Sequence, residues 1–188
     1  MNKLTFLLDL DGVCCEWYRS VAKLLDLDPD KLQHKVGQES PELFDIERDS
    51  IWAAIRATKG DLWVNLEPYP WLYDLYDGLK KHGNVCFSTS PGKDPYGLTG
   101  KALWIEKHFA ERVPNFMRKL MVGFPKELLA GNPAFNRRIL VDDSPKQCEE
   151  FRGQGGTAIL FPQPWSVEDV PEDRVGYVLH EVNKLLCY

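Results

Sequence analysis

The apolar stretch Leu4-Thr5-Phe6-Leu7-Leu8 shows almost no alternation of apolar and polar positions. A strand that is apolar on both faces belongs inside a parallel sheet covered by helices. Asn84-Val85-Cys86-Phe87 and Arg137 to Val141 have the same character, and Met117 to Val122 and Thr157 to Phe161 add two further short strands. Between these runs the spacing changes to that of amphipathic helices. Trp17, Val21, Leu24 and Leu25 share one face of a helix over Glu16 to Leu27, and Ile51, Trp52, Ile55 and Leu62 suggest a second. Leu72, Leu75, Tyr76 and Leu79 mark a helix over Pro70 to His82, closed by Gly83. Leu103 or Trp104, with Ile105 and Phe109, faces inward from a helix over Lys101 to Glu111. A helical turn from Lys126 to Leu129, a helix from Pro145 to Phe151 and a last one from Val170 to Leu186 complete the pattern. Strands alternating with helices predict an α/β domain built on a parallel sheet.

The residues at the carboxyl ends of the strands narrow the chemistry. The first strand runs into Asp9-Leu10-Asp11-Gly12-Val13. Residues two apart in extended chain point the same way, so both acids can aim above the strand's carboxyl end, where open α/β sheets bind ligands. Two like charges so close repel, and a cation or a shared proton must offset that repulsion. Magnesium, which takes a few carboxylates together with phosphate oxygens, is suited to the task. The strand ending at Val141 also stops at paired acids, Asp142 and Asp143, with Ser144-Pro145 closing off further pairing. The strand ending at Phe87 runs into Ser88-Thr89-Ser90-Pro91, which offers hydroxyls and main-chain N–H groups at the same edge.

Length and charge remove several classes of function. A chain of 188 residues, 44% apolar, can bury one sizeable core with a small insertion. Its net charge of −5 leaves no basic stripe to neutralise a long phosphate backbone, so an extended nucleic acid is not expected as partner. The five cysteines are odd in number and show neither a disulfide framework nor a zinc spacing, which fits a reducing, cytoplasmic setting. Met1-Asn2-Lys3 leads straight into the first strand, so neither a signal peptide nor a membrane span is expected.

The constellation resembles the haloacid dehalogenase superfamily of phosphotransferases, which places Asp-x-Asp after the first strand, Ser or Thr after the second, then a lysine and a late acidic pair. Asp9-Leu10-Asp11-Gly12-Val13, Leu66-Glu67-Pro68, Thr89-Ser90-Pro91, Lys101 followed by Trp104 to Phe109, and Leu140-Val141-Asp142-Asp143 are similar to the 5′(3′)-deoxyribonucleotidase family. The resemblance implies a Rossmannoid three-layer sandwich, with residues 1–18 and 67–188 as the phosphatase core and 19–66 as an inserted helical cap. It implies a magnesium-dependent phosphatase acting on a small-molecule nucleoside monophosphate, and it leaves a homodimer open. The same chemistry on a sugar phosphate or a polynucleotide 3′-phosphate is the alternative within enzymes, and a silent nucleotide- or phosphoprotein-binding relative the alternative outside them.

The resemblance implies residue roles as well. Asp9 is the expected nucleophile, since an ionised carboxylate needs no base, and Asp11 the acid and then base, for which it must titrate above Asp9. Magnesium is expected between Asp9, the main-chain carbonyl of Asp11, and Asp142 or Asp143. Thr89 and the Ser90 N–H are expected on phosphate oxygens. Lys126 is the first candidate for the phosphate-binding lysine and Lys101 the second, although Gly123-Phe124-Pro125 departs from the family's usual residues there. An aromatic contact to the nucleotide is implied for Trp17. Phe44, Trp52 and Trp63 are further base-stacking candidates, because a flat ring meets a nucleobase by its π-face, with a place in the core as the competing reading. Cys14 and Cys15 are expected to be buried and inert, and no chemistry is assigned to the four histidines.

Overall fold

In the computed structural model the described residues are 4–187 apart from 39, 91, 123–124 and 132–136. Pro91, the Gly123-Phe124 pair and most of the 131–137 connection therefore lie outside them. The elements in chain order are β1 (Thr5–Leu8), α1 (Trp17–Leu24), α2 (Ser40–Phe44), α3 (Arg48–Ala57), α4 (Asp61–Val64), α5 (Leu72–His82), β2 (Asn84–Thr89), α6 (Gly97–Phe109), β3 (Leu120–Val122), β4 (Arg138–Asp142), α7 (Pro145–Gly153), β5 (Thr157–Leu160) and α8 (Arg174–Leu186). The five strands form one parallel sheet in the order β3-β2-β1-β4-β5. Its likeness to the expected α/β sandwich is complete in outline.

The unalternating apolar pattern of β1 now has its cause. Phe6, Leu7 and Leu8 are fully buried. Phe6 and Leu8 belong to the larger apolar cluster, with Val85, Phe87, Ile139 and Val141 and with Leu75, Ile105, Phe109 and Val178 from the helices. Leu7 points to the opposite face, into a smaller cluster with Leu140, Cys148 and Phe151. A helix layer thus covers each face of the sheet. Leu8 sits opposite both Phe87 and Val141, so β1 is flanked by β2 and β4 in matched register. That register brings the ends of three motif-bearing strands side by side.

Several boundaries differ from expectation, each for a local reason. The helix sought over Ile51 to Leu62 is two, broken where Lys59 and Gly60 take positive φ (51° and 100°). α6 starts at Gly97, a turn before Lys101, and a Cβ on Gly100 would stand 2.5 Å from Trp63 Cβ, so α4 and α6 approach closely only because that residue is glycine. Trp104 is buried and Leu103 exposed, which settles the inward face of α6. Residues 116–119 form a 3-10 turn, so the strand is only Leu120–Val122. α8 begins at Arg174 because the Asp173 carboxylate accepts the Gly176 N–H at 2.7 Å and caps it there.

Residues 17–66 leave and rejoin the sheet region through one short ladder. Glu16 N donates to Glu67 O at 2.8 Å, and Tyr69 N to Cys14 O at 3.0 Å, with Cys15 bridged to Pro68. Ile51, Ile55 and Trp63 from the intervening helices pack into the larger cluster, so this segment shares its core with the sheet.

Phe87 is fully buried, 4.8 Å from the Phe109 ring and 5.9 Å from Tyr76. Phe87→Ala should lower the free energy of unfolding by about 3–5 kcal/mol, read from urea denaturation midpoints. A loss under about 1 kcal/mol would mean that the sheet's helical cover is not packed as described.

Candidate active site

At the end of β1, Asp9 N continues the ladder by donating to Val141 O at 3.0 Å. Its carboxylate, buried like those of Asp142 and Asp143, offers an oxygen within 4.8 Å of one on each of them. Lys126 reaches between two of the three, its Nζ donating to Asp9 Oδ1 and to Asp142 Oδ2, both at 2.6 Å. The 3-10 turn Lys126–Leu129 supplies that lysine, whose side chain is only 4% exposed. Asp142 Oδ1 accepts the Ser144 N–H at 2.9 Å, and Trp165 Nε1 donates to Asp143 Oδ2 at 2.6 Å. Gly12 makes room: at φ +83° it takes a conformation that side chains avoid, and a Cβ there would lie 2.1 Å from Asp143 Oδ2.

The second lysine serves the second acid. Lys101 Nζ donates to Asp11 Oδ2 at 2.6 Å, to Thr89 Oγ1 at 3.0 Å and to Ser90 O at 2.5 Å. It also stands 4.6 Å over the Trp63 ring, whose Nε1 donates to Asp94 Oδ2 at 2.6 Å. Both candidate lysines therefore reach the site, Lys126 on the nucleophile side and Lys101 beside Asp11. The side chain of Asp11 faces Lys101 and stands outside the group formed by Asp9, Asp142 and Asp143.

Charge in this cluster is not balanced. Burial pushes the Asp9 carboxyl up to about 7; Lys126 opposes that rise, while Asp142 and Asp11 add to it. Burial, then Asp142 and Asp9, raise Asp143 well above the carboxylate range. For Lys126, burial alone would lower the ammonium, but Asp142 and Asp9 outweigh it and hold it charged. One lysine is thus too little for three desolvated carboxylates. A second, divalent charge fits the donor set, hard oxygens only, and would favour the ionised form of Asp9. Cys14 and Cys15 are raised by burial first and then by the neighbouring acids, so neither supplies a thiolate.

A cavity of about 300 Å³ opens at this edge, lined by Asp9, Asp11, Ser90, Lys101, Lys126, Asp142 and Asp143 together with Trp17, Trp52 and Trp63. Trp52 and Trp63 stack at 6.5 Å. Thr89, fully buried, stands behind Lys101. Phe44 departs from expectation: it is buried, 6.5 Å from the Trp17 ring and 6.1 Å from Tyr18, and supports the cavity wall from the core side without lining it. Trp63 is likewise almost wholly buried, one face taken by Lys101. Tyr18, Ser144 and Gln147 also line the cavity and were not among the expected ligands. Ser144 and Gln147 lie within five residues of Asp142, a proximity that could have flagged them; Tyr18 has only its place beside Trp17.

These features, acids and lysines gathered over the adjacent ends of β1, β2 and β4, define a haloacid dehalogenase-like hydrolase. The family model described as 5′ nucleotidase, deoxy (Pyrimidine), cytosolic type C protein matches residues 2–183, and the chain belongs to that family. It is a phosphomonoester hydrolase of the 5′-nucleotidase type. No curated protein matches the chain significantly. Among solved structures it is similar to a haloacid dehalogenase-like family hydrolase from Xanthomonas campestris, at 16% identity and a TM-score of 0.54, over 98% of this chain and 91% of that one. It is similar also to Protein Tyrosine Kinase A of Mycobacterium tuberculosis (13% identity, TM-score 0.59, 95% and 98% covered). A third is a HAD-hydrolase of Bacillus subtilis bound to magnesium (12% identity, TM-score 0.52, 97% and 100% covered). At such identities the likeness is one of fold, and the names of these proteins span more than one activity.

The raised Asp9 carboxyl sets a pH dependence. Its proton is held up to about pH 7 in the folded, metal-free protein, against about 3.9 unfolded. Between those values the folded chain holds the extra proton, so stability falls as pH rises through that window and levels off above it. Asp143 is shifted in the same direction. The melting temperature of chelator-treated protein should fall from about pH 5 to about pH 7, Asp143→Asn should flatten the slope, and magnesium should raise the melting temperature more at the higher pH. A slope unchanged in the Asn variant would contradict the charge imbalance.

Proposed function

We propose that the protein is a magnesium-dependent phosphatase that removes the phosphate of nucleoside monophosphates through an aspartyl-phosphate on Asp9. The observation that carries this is the cluster itself: three buried carboxylates, two of them on one lysine, at a cavity walled by tryptophans. Asp9 attacks phosphorus; the Asp9 oxygen–phosphorus bond forms as the ester bond breaks, and Asp11 gives its proton to the leaving oxygen. In the second half water attacks phosphorus, the Asp9 oxygen leaves, and Asp11 takes the water's proton. Lys101 keeps Asp11 in place for both transfers. Lys126 and the Ser90 N–H are assigned to the phosphoryl oxygens, whose charge dominates the barrier in this kind of transfer, while Thr89, expected there too, is buried and holds Lys101 from behind. Asp9, Asp142, Asp143 and the Asp11 carbonyl would hold magnesium, which when bound neutralises negative charge on those oxygens.

Residues 19–66 serve in this reading as the cap that selects substrate. Trp17 and Trp52 present ring surface to the cavity and are assigned to the base, with Trp63 as the floor beneath Lys101. Three points support a cytoplasmic setting. All five cysteines are free, no helix among the described residues is long and apolar enough to cross a membrane, and the family description is of a cytosolic type.

Release of inorganic phosphate should be measured on a panel of nucleoside monophosphates and sugar phosphates, with magnesium and with chelator. Nucleotides should be the better substrates, chelator should abolish turnover, and Asp9→Asn should lower kcat by about 10³-fold or more. Turnover confined to sugar phosphates would remove the nucleotide assignment, and a fully active Asn variant would remove the nucleophile.

A further inference from the structure

The turn after β5 belongs to none of the motifs, yet it meets the active site from behind at two points. Trp165, 8% exposed, donates its indole N–H to Asp143. Gln163, 1% exposed, donates its side-chain amide to the main-chain carbonyl of Gly12. The orientation of that amide is fixed by its other end: Gln163 Oε1 accepts from Arg174 Nη1 at 2.6 Å, and a guanidinium can only donate. Arg174 in turn lies 4.6 Å over the Trp71 ring, and Trp71 Nε1 donates to Val13 O at 3.0 Å. The turn is closed on itself, Ser166 Oγ accepting from Gln163 N at 2.7 Å and lying 3.0 Å from Phe161 O. Three neighbouring groups, the carbonyls of Gly12 and Val13 and the carboxylate of Asp143, are thus held from one side.

The kind of donor matters. Asp142 is oriented by a lysine and a main-chain N–H, and the lysine also cancels its charge. An indole N–H is neutral and can only donate, so it fixes the plane of the Asp143 carboxylate through one oxygen while leaving its negative charge available to a ligand. Groups that hold a metal's ligands in this way affect metal affinity nearly as strongly as the ligands themselves. The indole is also held in place by packing. The rings of Tyr18 and His34 lie 4.6 and 4.7 Å from Trp165, and Gly37 N donates to Trp165 O at 2.9 Å, so α1 and the residues between α1 and α2 pack against it.

We propose that Trp165, backed by Gln163 on the Gly12 carbonyl, is a positioning residue that sets the Asp143 carboxylate for a divalent cation. This rests on the magnesium-dependent reading of the site. The test is calorimetric titration of the whole chain with Mg2+. Trp165→Phe keeps the ring and deletes the N–H, and it should weaken magnesium about 10- to 100-fold, while the KM for a nucleoside monophosphate at saturating magnesium stays within about twofold. Trp104→Phe deletes another buried indole donor, on Leu66 O at 2.8 Å and outside the lining of the acid-bearing cavity, and should leave magnesium affinity unchanged. Should Trp165→Phe fail to fold, the wild-type indole N–H resonance of Trp165, assigned through its contacts with the Tyr18 and His34 rings, should move on addition of magnesium. Failure of the wild type to bind magnesium overturns the metal reading itself. Binding by the wild type with equal affinity in Trp165→Phe, or with an unmoved Trp165 resonance, overturns the positioning role alone.

Discussion

One ammonium group holds the site together. Like charges about 4 Å apart in a partly polar interior repel by about 4 kcal/mol, and Asp9, Asp142 and Asp143 present three of them with almost no water. Lys126 draws the ends of β1 and β4 onto one nitrogen through two bonds of 2.6 Å. The contact exists only because β1 and β4 are direct neighbours in the sheet, which in turn requires the helical crossovers that bury both faces of β1. Asp9 and Asp143, whose carboxyls burial and their neighbours push upward even with Lys126 beside them, are the groups whose ionised form a divalent ion would favour.

The second lysine divides the work. Lys101 is bound to Asp11 and Thr89 and supported by the Trp63 ring, and it does not touch Asp9. Asp9 and Asp11, proposed as nucleophile and proton carrier, are therefore two residues apart in the chain but stand in different electrostatic neighbourhoods. Such separation is how two carboxylates in one site come to play different parts.

Much of this was legible in the residues themselves. The apolar runs of β1, β2 and β4 and the acids or hydroxyls at their ends placed the sheet and one edge of it, because burial on both faces and a turn at the carboxyl end leave local marks. The two lysines could be proposed, Lys126 ahead of Lys101, but not placed, since each comes from a segment whose distance from the acids depends on how its helix or turn docks. Phe44 could be named only as a base-stacking candidate or a core residue, because aromatic character alone does not say which side of a wall a ring occupies. Trp165 and Gln163 left no mark at all. Their partners lie 22 and 151 residues away, and only the return of the chain after β5 brings them together.

The ladder joining residues 14–16 to 67–69 has its own meaning for how such a protein can change. Some fifty residues depart from and return to points already hydrogen-bonded to each other, so lengthening or shortening the excursion adds little closure entropy and leaves the strand ends where they are. The reacting groups come mainly from outside that excursion, whereas Trp52 and Trp63 come from within it. On the proposed reading, the choice of compound can thus drift over generations while the acids at the strand ends stay put.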